Sequence, residues 1–258
     1  MRIVVKIGTS TLTHKSGELN IRRTEELCRI LSDIKNSGEE IIIVSSGAIG
    51  MGRAKLSLPG KPQDIATKQA AAAVGQCELM YRYDKLFAEY HHTVAQILLT
   101  GDDFQHDDRH QNFINTISKL LELKAIPIIN ENDTIATQEI KVGDNDTLSA
   151  LVSVSVSADL LILLSDIDGL YTADPHNNPD AKLITEVHEI NNEILSLAGD
   201  SASTLGTGGM RTKLSAAELC MNGGCDMIIA NGADPKLLYD IIGGKGVVCT
   251  RFYSQKGK

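Results

Sequence analysis

The sequence predicts an α/β protein with a mostly parallel open sheet sandwiched between helices, and three observations carry that fold class. Short apolar runs at 41–44, 94–99, 125–129 and 159–164 are nearly unbroken, as in strands buried on both faces. Between them lie longer segments of helical period, the pattern of parallel strands joined by crossover helices. Several runs end in glycine, hydroxyl or acid side chains, and the carboxyl edge of such a sheet is where ligands bind.

Taken in order, residues 2–8 (RIVVKIG) read as a strand that carries one lysine, followed by the hydroxyl-rich turn TSTLT at 9–13. Lys6 is costly there unless its ammonium reaches the sheet edge or pairs with an acid. From Asn20, the spacing of Ile21, Leu27, Ile30, Leu31 and Ile34 predicts a helix that stops at Gly38. The strand at 41–44 runs into SSGAIGMG at 45–52, which is neither a P-loop nor a G-x-G-x-x-G fingerprint. Residues 55–63, with two prolines, are loop, and the alanine-rich stretch 64–90 reads as one or two long helices.

The strand at 94–99 precedes a helix over 109–124 with Phe113, Ile117, Leu120 and Leu121 on one face. The strand at 125–129 ends in NENDT, and 134–142 reads as a hairpin arm. Next come Asp144, Asn145 and Asp146, immediately ahead of an apolar helix near 147–156. One such residue is enough to cap a helix, so three leave polar groups over, at a helix end that favours an anionic ligand. We expect this corner to receive a small acidic substrate.

The strand at 159–164 exits through SDIDGLYTADP at 165–175, with Asn177, Asn178 and Pro179 beyond it. That composition suits a turn or a cation site, without the ligand spacing of an EF-hand. Segment 206–213 (GTGGMRTK) opens a helix whose face is Leu214, Ala217 and Leu219. Arg211 and Lys213 oppose the helix dipole in its first turns, which points to an anion held there. Strands at 227–230 and 246–252, with a helix over 234–242 between them, close the sheet.

Bulk properties narrow the class. The chain of 258 residues is 42% hydrophobic and 22% charged, ordinary for a soluble globular protein, with no apolar run of membrane-spanning length and no signal peptide at Met1. Its net charge of −8 argues against a nucleic-acid surface. Five scattered cysteines without a C-x-x-C pair point to reduced thiols in the cytoplasm, with no disulfide framework and no zinc site.

A strand lysine, polar strand exits, an acidic helix start and a glycine-rich basic helix start are the parts that phosphoryl transfer uses. In this order, VKIGTS (5–10), VSSGAI (44–49), NENDT (130–134), GDND (143–146), SDIDGLYTADP (165–175) and GTGGMRTK (206–213) resemble the amino-acid kinase family. The match spans almost the whole chain. SSGAI together with GDND is similar to the branch that phosphorylates the side-chain carboxylate of L-glutamate, the first step of proline synthesis.

The resemblance implies one kinase domain over 1–258, with an acceptor-binding half at about 1–150 and a nucleotide-binding half at about 151–258. It implies that Lys6 and Lys213 stabilise the phosphoryl group in flight beside the N–H groups of Gly8 and Gly47, and that Asp146 holds both lysines. Ser46, Asp133 and Asn145 are expected to bind glutamate, with Asp144 near its ammonium. Ser165 and Asp166, together with Thr207, Gly208, Gly209, Met210, Arg211, Thr212 and Lys213, are expected at ATP. Mg2+ is expected to arrive on the ATP phosphates with no protein ligand set of its own. Feedback by proline and a homo-oligomer, dimer or tetramer, are further implications. Many bacterial relatives carry an additional C-terminal PUA domain, and the sequence reads as a form without it, ending at Lys258. Other readings on the same parts are a kinase of acetylglutamate, aspartate, carbamate or UMP, and a non-catalytic amino-acid sensor. The presence of both Lys6 and Lys213 argues against a sensor.

Overall fold

The computed structural model describes the chain except residues 15–17, 61, 136–143, 176, 198–208 and 256–258. In chain order the elements are β1 (Arg2–Ile7), α1 (Thr9–Leu12), α2 (Ile21–Asn36), β2 (Glu40–Ser45), α3 (Ala48–Lys55), α4 (Ile65–Ala88), β3 (Val94–Leu99), α5 (Asp107–Glu122), β4 (Ile126–Glu131), α6 (Asn145–Ser155) and β5 (Leu160–Ser165). After these come β6 (Leu170–Tyr171), β7 (Leu183–Ile184), β8 (Glu186–Val187), α7 (Asn192–Ser196), α8 (Met210–Asn222), β9 (Asp226–Asn231), α9 (Leu237–Ile242) and β10 (Cys249–Phe252). The main sheet runs β3-β4-β2-β1-β5-β9-β10-β8, parallel except where β10 meets β9. β1 lies at its centre, with Ile3 opposite Ile41 on one side and Leu160 on the other.

Alternation along β1 divides the core into two layers. Ile3, Val5 and Ile7 pack with Leu27, Ile30 and Leu31 of α2 and Leu79, Tyr83 and Phe87 of α4. Val4 faces the opposite way, with Leu148 and Val152 of α6, Leu214 and Ala217 of α8 and Phe113 and Ile117 of α5. Lys6 shares the parity of Val4, so the strand's own period sends it toward α6 and α8.

The structure corrects two residue placements and refines other expectations. Ile21 begins α2 but is exposed, and Leu219 is exposed on α8, whose inner face is Lys213, Leu214, Ala216, Ala217, Cys220 and Met221. Leu219 lies five residues beyond Leu214, which at 3.6 residues per turn rotates it away from the sheet. The stretch 64–90 forms one helix, capped by Asp64 through the Thr67 N–H at 2.8 Å. Most of the expected hairpin arm at 134–142 lies outside the described residues; Thr134 and Ile135 are in a turn. The loop after β5 contains the two-residue strand β6, paired antiparallel with β7, too short to show in a periodicity.

Helix α4 lies backbone-to-backbone on α3. A Cβ at Gly75 would come within 1.7 Å of the Ala48 carbonyl oxygen, and one at Gly52 within 1.8 Å of that of Ala71. Only hydrogen atoms fit between the two helices at these points, and the contact fixes how α3 leaves β2.

Candidate active site

Three ionic side chains, Asp146 and Lys213 buried and Lys6 partly so, meet at the carboxyl edge of the sheet. Lys6 Nζ lies 2.7 Å from Asp146 Oδ1 and Lys213 Nζ 3.0 Å from Asp146 Oδ2, so one carboxylate spans ammonium groups carried by β1 and α8. The Thr212 hydroxyl also donates to Asp146 Oδ2 at 3.2 Å. Asp146 is 1% exposed. Burial pushes its carboxyl upward, but the Lys6 and Lys213 ammoniums outweigh that and hold it down at about 2. The carboxylate is therefore permanently ionised at neutral pH, and the trio carries a net positive charge. The excess of basic residues at the start of α8 finds its compensation in Asp146.

Glycine backbone lies against Lys6. A Cβ at Gly8 would stand 3.3 Å from Lys6 Nζ and 3.5 Å from the Leu164 carbonyl oxygen. Gly47 caps α3 with φ of 107°, the left-handed region where glycine has no Cβ penalty. The N-terminal ends of α1 and α3 thus follow directly on β1 and β2, at the edge where Lys6 emerges.

The three polar residues of the 144–146 run divide the work. Asp144 is the cap: its Oδ1 accepts the N–H groups of Asp146 at 2.7 Å and Thr147 at 2.9 Å. Burial pushes the Asp144 carboxyl up, the Thr147 N–H draws it down, and the Asp146 charge adds to the rise. Asn145 points the other way, its Nδ2 lying 2.7 Å from Ser46 Oγ, 3.0 Å from Asn130 Oδ1 and 3.1 Å from the Ser45 carbonyl oxygen. Asp133 is half-buried in the turn after β4. The structure therefore brings Ser46 and Asn145 into contact beside Asp146, with Asp133 nearby in sequence on the β4 exit.

On the β5 side, Ser165 is buried at the strand end, and its hydroxyl donates to Asp166 Oδ1 at 3.2 Å. Asp168 accepts from Tyr171 and from Asn231 Nδ2, both at 2.9 Å, tying the loop to the end of β9. Gly209 caps α8, whose first residues are Met210 and an exposed Arg211. Thr207 and Gly208 lie outside the described residues. Among the described residues no cluster of three or more His, Cys, Asp or Glu side chains is arranged to hold a metal ion.

Two residues of this region were missed. Asn130 follows four apolar residues in a wholly buried strand that ends in Glu131, and a polar residue at such a position is the signal that could have found it. Gln76, which accepts from Asn130 Nδ2 at 2.9 Å, lies 54 residues away in an alanine-rich helix where nothing in the sequence marks it.

The model of the amino acid kinase family matches residues 1–231. The chain is similar to a protein named glutamate 5-kinase from Clostridium perfringens, at 53% identity over 100% of this chain and 97% of that one. It is also similar to a glutamate 5-kinase from Listeria innocua, at 51% identity over 99% and 94%. Among solved structures, the isopentenyl phosphate kinase of T. acidophilum superposes with a TM-score of 0.68 at 17% identity, covering 98% of this chain and 100% of that one. At that identity the last likeness concerns the fold alone.

Proposed function

Because the chain belongs to the amino acid kinase family, we infer that it transfers the γ-phosphoryl group of ATP to the side-chain carboxylate of L-glutamate. The products are L-glutamyl 5-phosphate and ADP, the opening step of proline synthesis. The observation that supports the chemistry best is the single buried carboxylate of Asp146 bridging Lys6 and Lys213.

A glutamate side chain ionises near pH ~4.3, so its oxygen attacks at neutral pH without a general base. That oxygen forms a bond to the γ-phosphorus, and the bond from phosphorus to the bridging oxygen breaks, its electron pair leaving with ADP. No proton has to move. What the protein must supply is stabilisation of charge on the transferring group, from cations and N–H groups already in position. Lys6, Lys213 and the N–H groups of Gly8 and Gly47 take that role. Asp146, fully ionised and occupied on both oxygens, holds the lysines and acts neither as a base nor as a metal ligand. Mg2+, arriving with ATP, would supply further neutralisation of the phosphate charge, without a protein ligand set among the described residues.

Ser46, Asn145 and Asp133 bind glutamate, with Asp144 near its ammonium through the carboxylate oxygen that does not cap α6. Ser165, Asp166 and residues 207–213 contact the nucleotide. In this division residues 1–150 hold the acceptor and 151–258 hold ATP. Proline, the pathway's end product, inhibits at or overlapping the glutamate site. The chain works in the cytoplasm as a homo-oligomer.

The deciding experiment is ATP consumption with glutamate, acetylglutamate, aspartate, carbamate and UMP, with hydroxylamine trapping any acyl phosphate. Turnover and a trapped hydroxamate are expected with glutamate. Turnover with another acid and none with glutamate would overturn the assignment.

A further inference from the structure

The hydrogen-bond polarity of the acceptor corner can be worked out from its two backbone ends. At one end the Glu131 N–H donates to Asn130 Oδ1 at 2.9 Å. A backbone N–H can only donate, so Asn130 must turn its oxygen there, and its Nδ2 therefore faces Gln76. Gln76 in turn must present Oε1, and its Nε2 is left buried without a partner among the described residues. At the other end the Ser45 carbonyl oxygen can only accept, which puts Asn145 Nδ2 on that side. Its two hydrogens are shared among Ser45, Ser46 and Asn130, and none remains for a ligand. Ser46 Oγ accepts one of them and keeps its own hydrogen to give. The corner thus offers a donor at Ser46 and an acceptor at Asn145 Oδ1, the pair that a carboxylate and an ammonium on one small molecule require.

We propose that Gln76 is a positioning residue that, together with the Glu131 N–H, holds this polarity and so supports selection for an acceptor carrying a free α-ammonium. The proposal rests on the acyl-phosphate reading above. Gln76 touches no substrate: its amide nitrogen is buried, and it acts through Asn130. Two features place it in that role. Its side chain is buried and its oxygen is spent on Asn130, a residue of the acceptor corner. And the neighbouring Gly75 lets α4 press on the Ala48 carbonyl, two residues beyond Ser46, which holds the Gln76 side chain against the corner. Without the Gln76 acceptor, only the Glu131 N–H holds the Asn130 amide in this orientation, and its buried nitrogen is drawn toward other acceptors in the corner.

The test compares glutamate with glutarate, which has the same two carboxylates and no ammonium. The wild-type protein is expected to favour glutamate in kcat/KM. Gln76→Met, similar in shape but without the acceptor, should narrow that preference about tenfold, the scale of one hydrogen bond to a charged group. The KM for ATP should stay within twofold. Gln76→Glu keeps an acceptor oxygen and replaces only the unpartnered nitrogen, so it should retain the wild-type preference. An unchanged glutamate-to-glutarate ratio in Gln76→Met, or an equal loss in Gln76→Glu, would overturn the proposal whatever happens to kcat or the melting midpoint. Absence of glutamate-dependent turnover in the wild type would instead remove the acyl-phosphate reading. Should Gln76→Met not fold, side-chain amide exchange in the unaltered 15N-labelled protein decides: slow exchange at both Asn130 and Asn145 is required, and fast exchange at either refutes the polarity.

Discussion

Replacing Asp146 by Asn keeps the shape of the side chain and removes its charge. Lys6 and Lys213 reach different oxygens of that carboxylate, at 2.7 and 3.0 Å, so their ammoniums stand no more than about 8 Å apart. At an effective dielectric near ~20, two such charges repel by about 2 kcal/mol once nothing lies between them. The depressed carboxyl leads to a similar figure. A fall from 3.8 to about 2 makes the folded state more stable by about 2 kcal/mol wherever the unfolded carboxyl would be ionised. These are two views of one interaction and do not add.

Since the folded value lies below the unfolded one, that stability is present above pH 4 and lost as pH falls through about 2. The Asp146→Asn variant should therefore melt lower at pH 7, by about 5 °C for a chain of this size, and should lack this part of the wild-type decline between pH 4 and 2. Lysines released from their anchor no longer meet the transferring group in place, so kcat should fall by about 10²–10³-fold, the effect of losing one preorganised stabiliser. The KM for glutamate should change less than threefold. Calorimetry across pH beside steady-state kinetics measures both. A kcat within threefold of wild type would refute the claim that Asp146 organises the lysines for transfer. An acid decline unaltered in the variant would refute the electrostatic account.

Other outcomes follow from the same geometry. Lys6→Met and Lys213→Met should each lower kcat by at least ~10²-fold with a much smaller change in the KM for glutamate, and near-normal kcat in either would remove that lysine from the transfer step. Asn145→Ala should raise the KM for glutamate about tenfold and leave that for ATP nearly unchanged, because it empties the contact between Ser46 and Asn130. If it alters only the melting midpoint, the acceptor site lies elsewhere. Gly75→Ala should cost about 2 kcal/mol or more in chemical denaturation, since its methyl would overlap the Ala48 carbonyl; a loss under ~0.5 kcal/mol would mean that the helices part freely. Inhibition by millimolar proline should be relieved by glutamate, and indifference to proline would end that part of the proposal.

Much of this was legible in the sequence, for identifiable reasons. β1, β2, β4 and β5 announce themselves because strands buried on both faces are mostly apolar, and Lys6 stands out against that background; β3, at the sheet edge, is apolar but only partly buried. The surplus of polar groups at 144–146 was also readable: one cap was needed, Asp144 supplies it, and its two neighbours are free for other partners. The hydroxyl and glycine exits after β1 and β2 follow from local chain chemistry. What composition and period do not carry is pairing over long distances. That Asp146 meets Lys6 and Lys213 came from resemblance, since the three lie up to 207 residues apart. The Gln76–Asn130 contact had no signal at all, because a glutamine inside a helix looks the same whether it faces water or a strand. Leu219 was misplaced for a simpler reason: a hydrophobic residue was assigned to the inner face without following the helical rotation from Leu214.

The place of β1 has a consequence in time. β1 is made before both of the strands that flank it in the sheet, and it finds one neighbour early, when Glu40 to Ser45 appear. Its other edge must wait for Leu160. At ~5–20 residues per second, that is a delay of about 8–30 s during which an apolar strand edge lies open, and Lys6 waits still longer for Lys213. An unpaired edge of this kind invites pairing with other chains. Synthesis thus includes an interval in which this strand is exposed to mispairing, and slower translation between the fourth strand and the fifth would lengthen it.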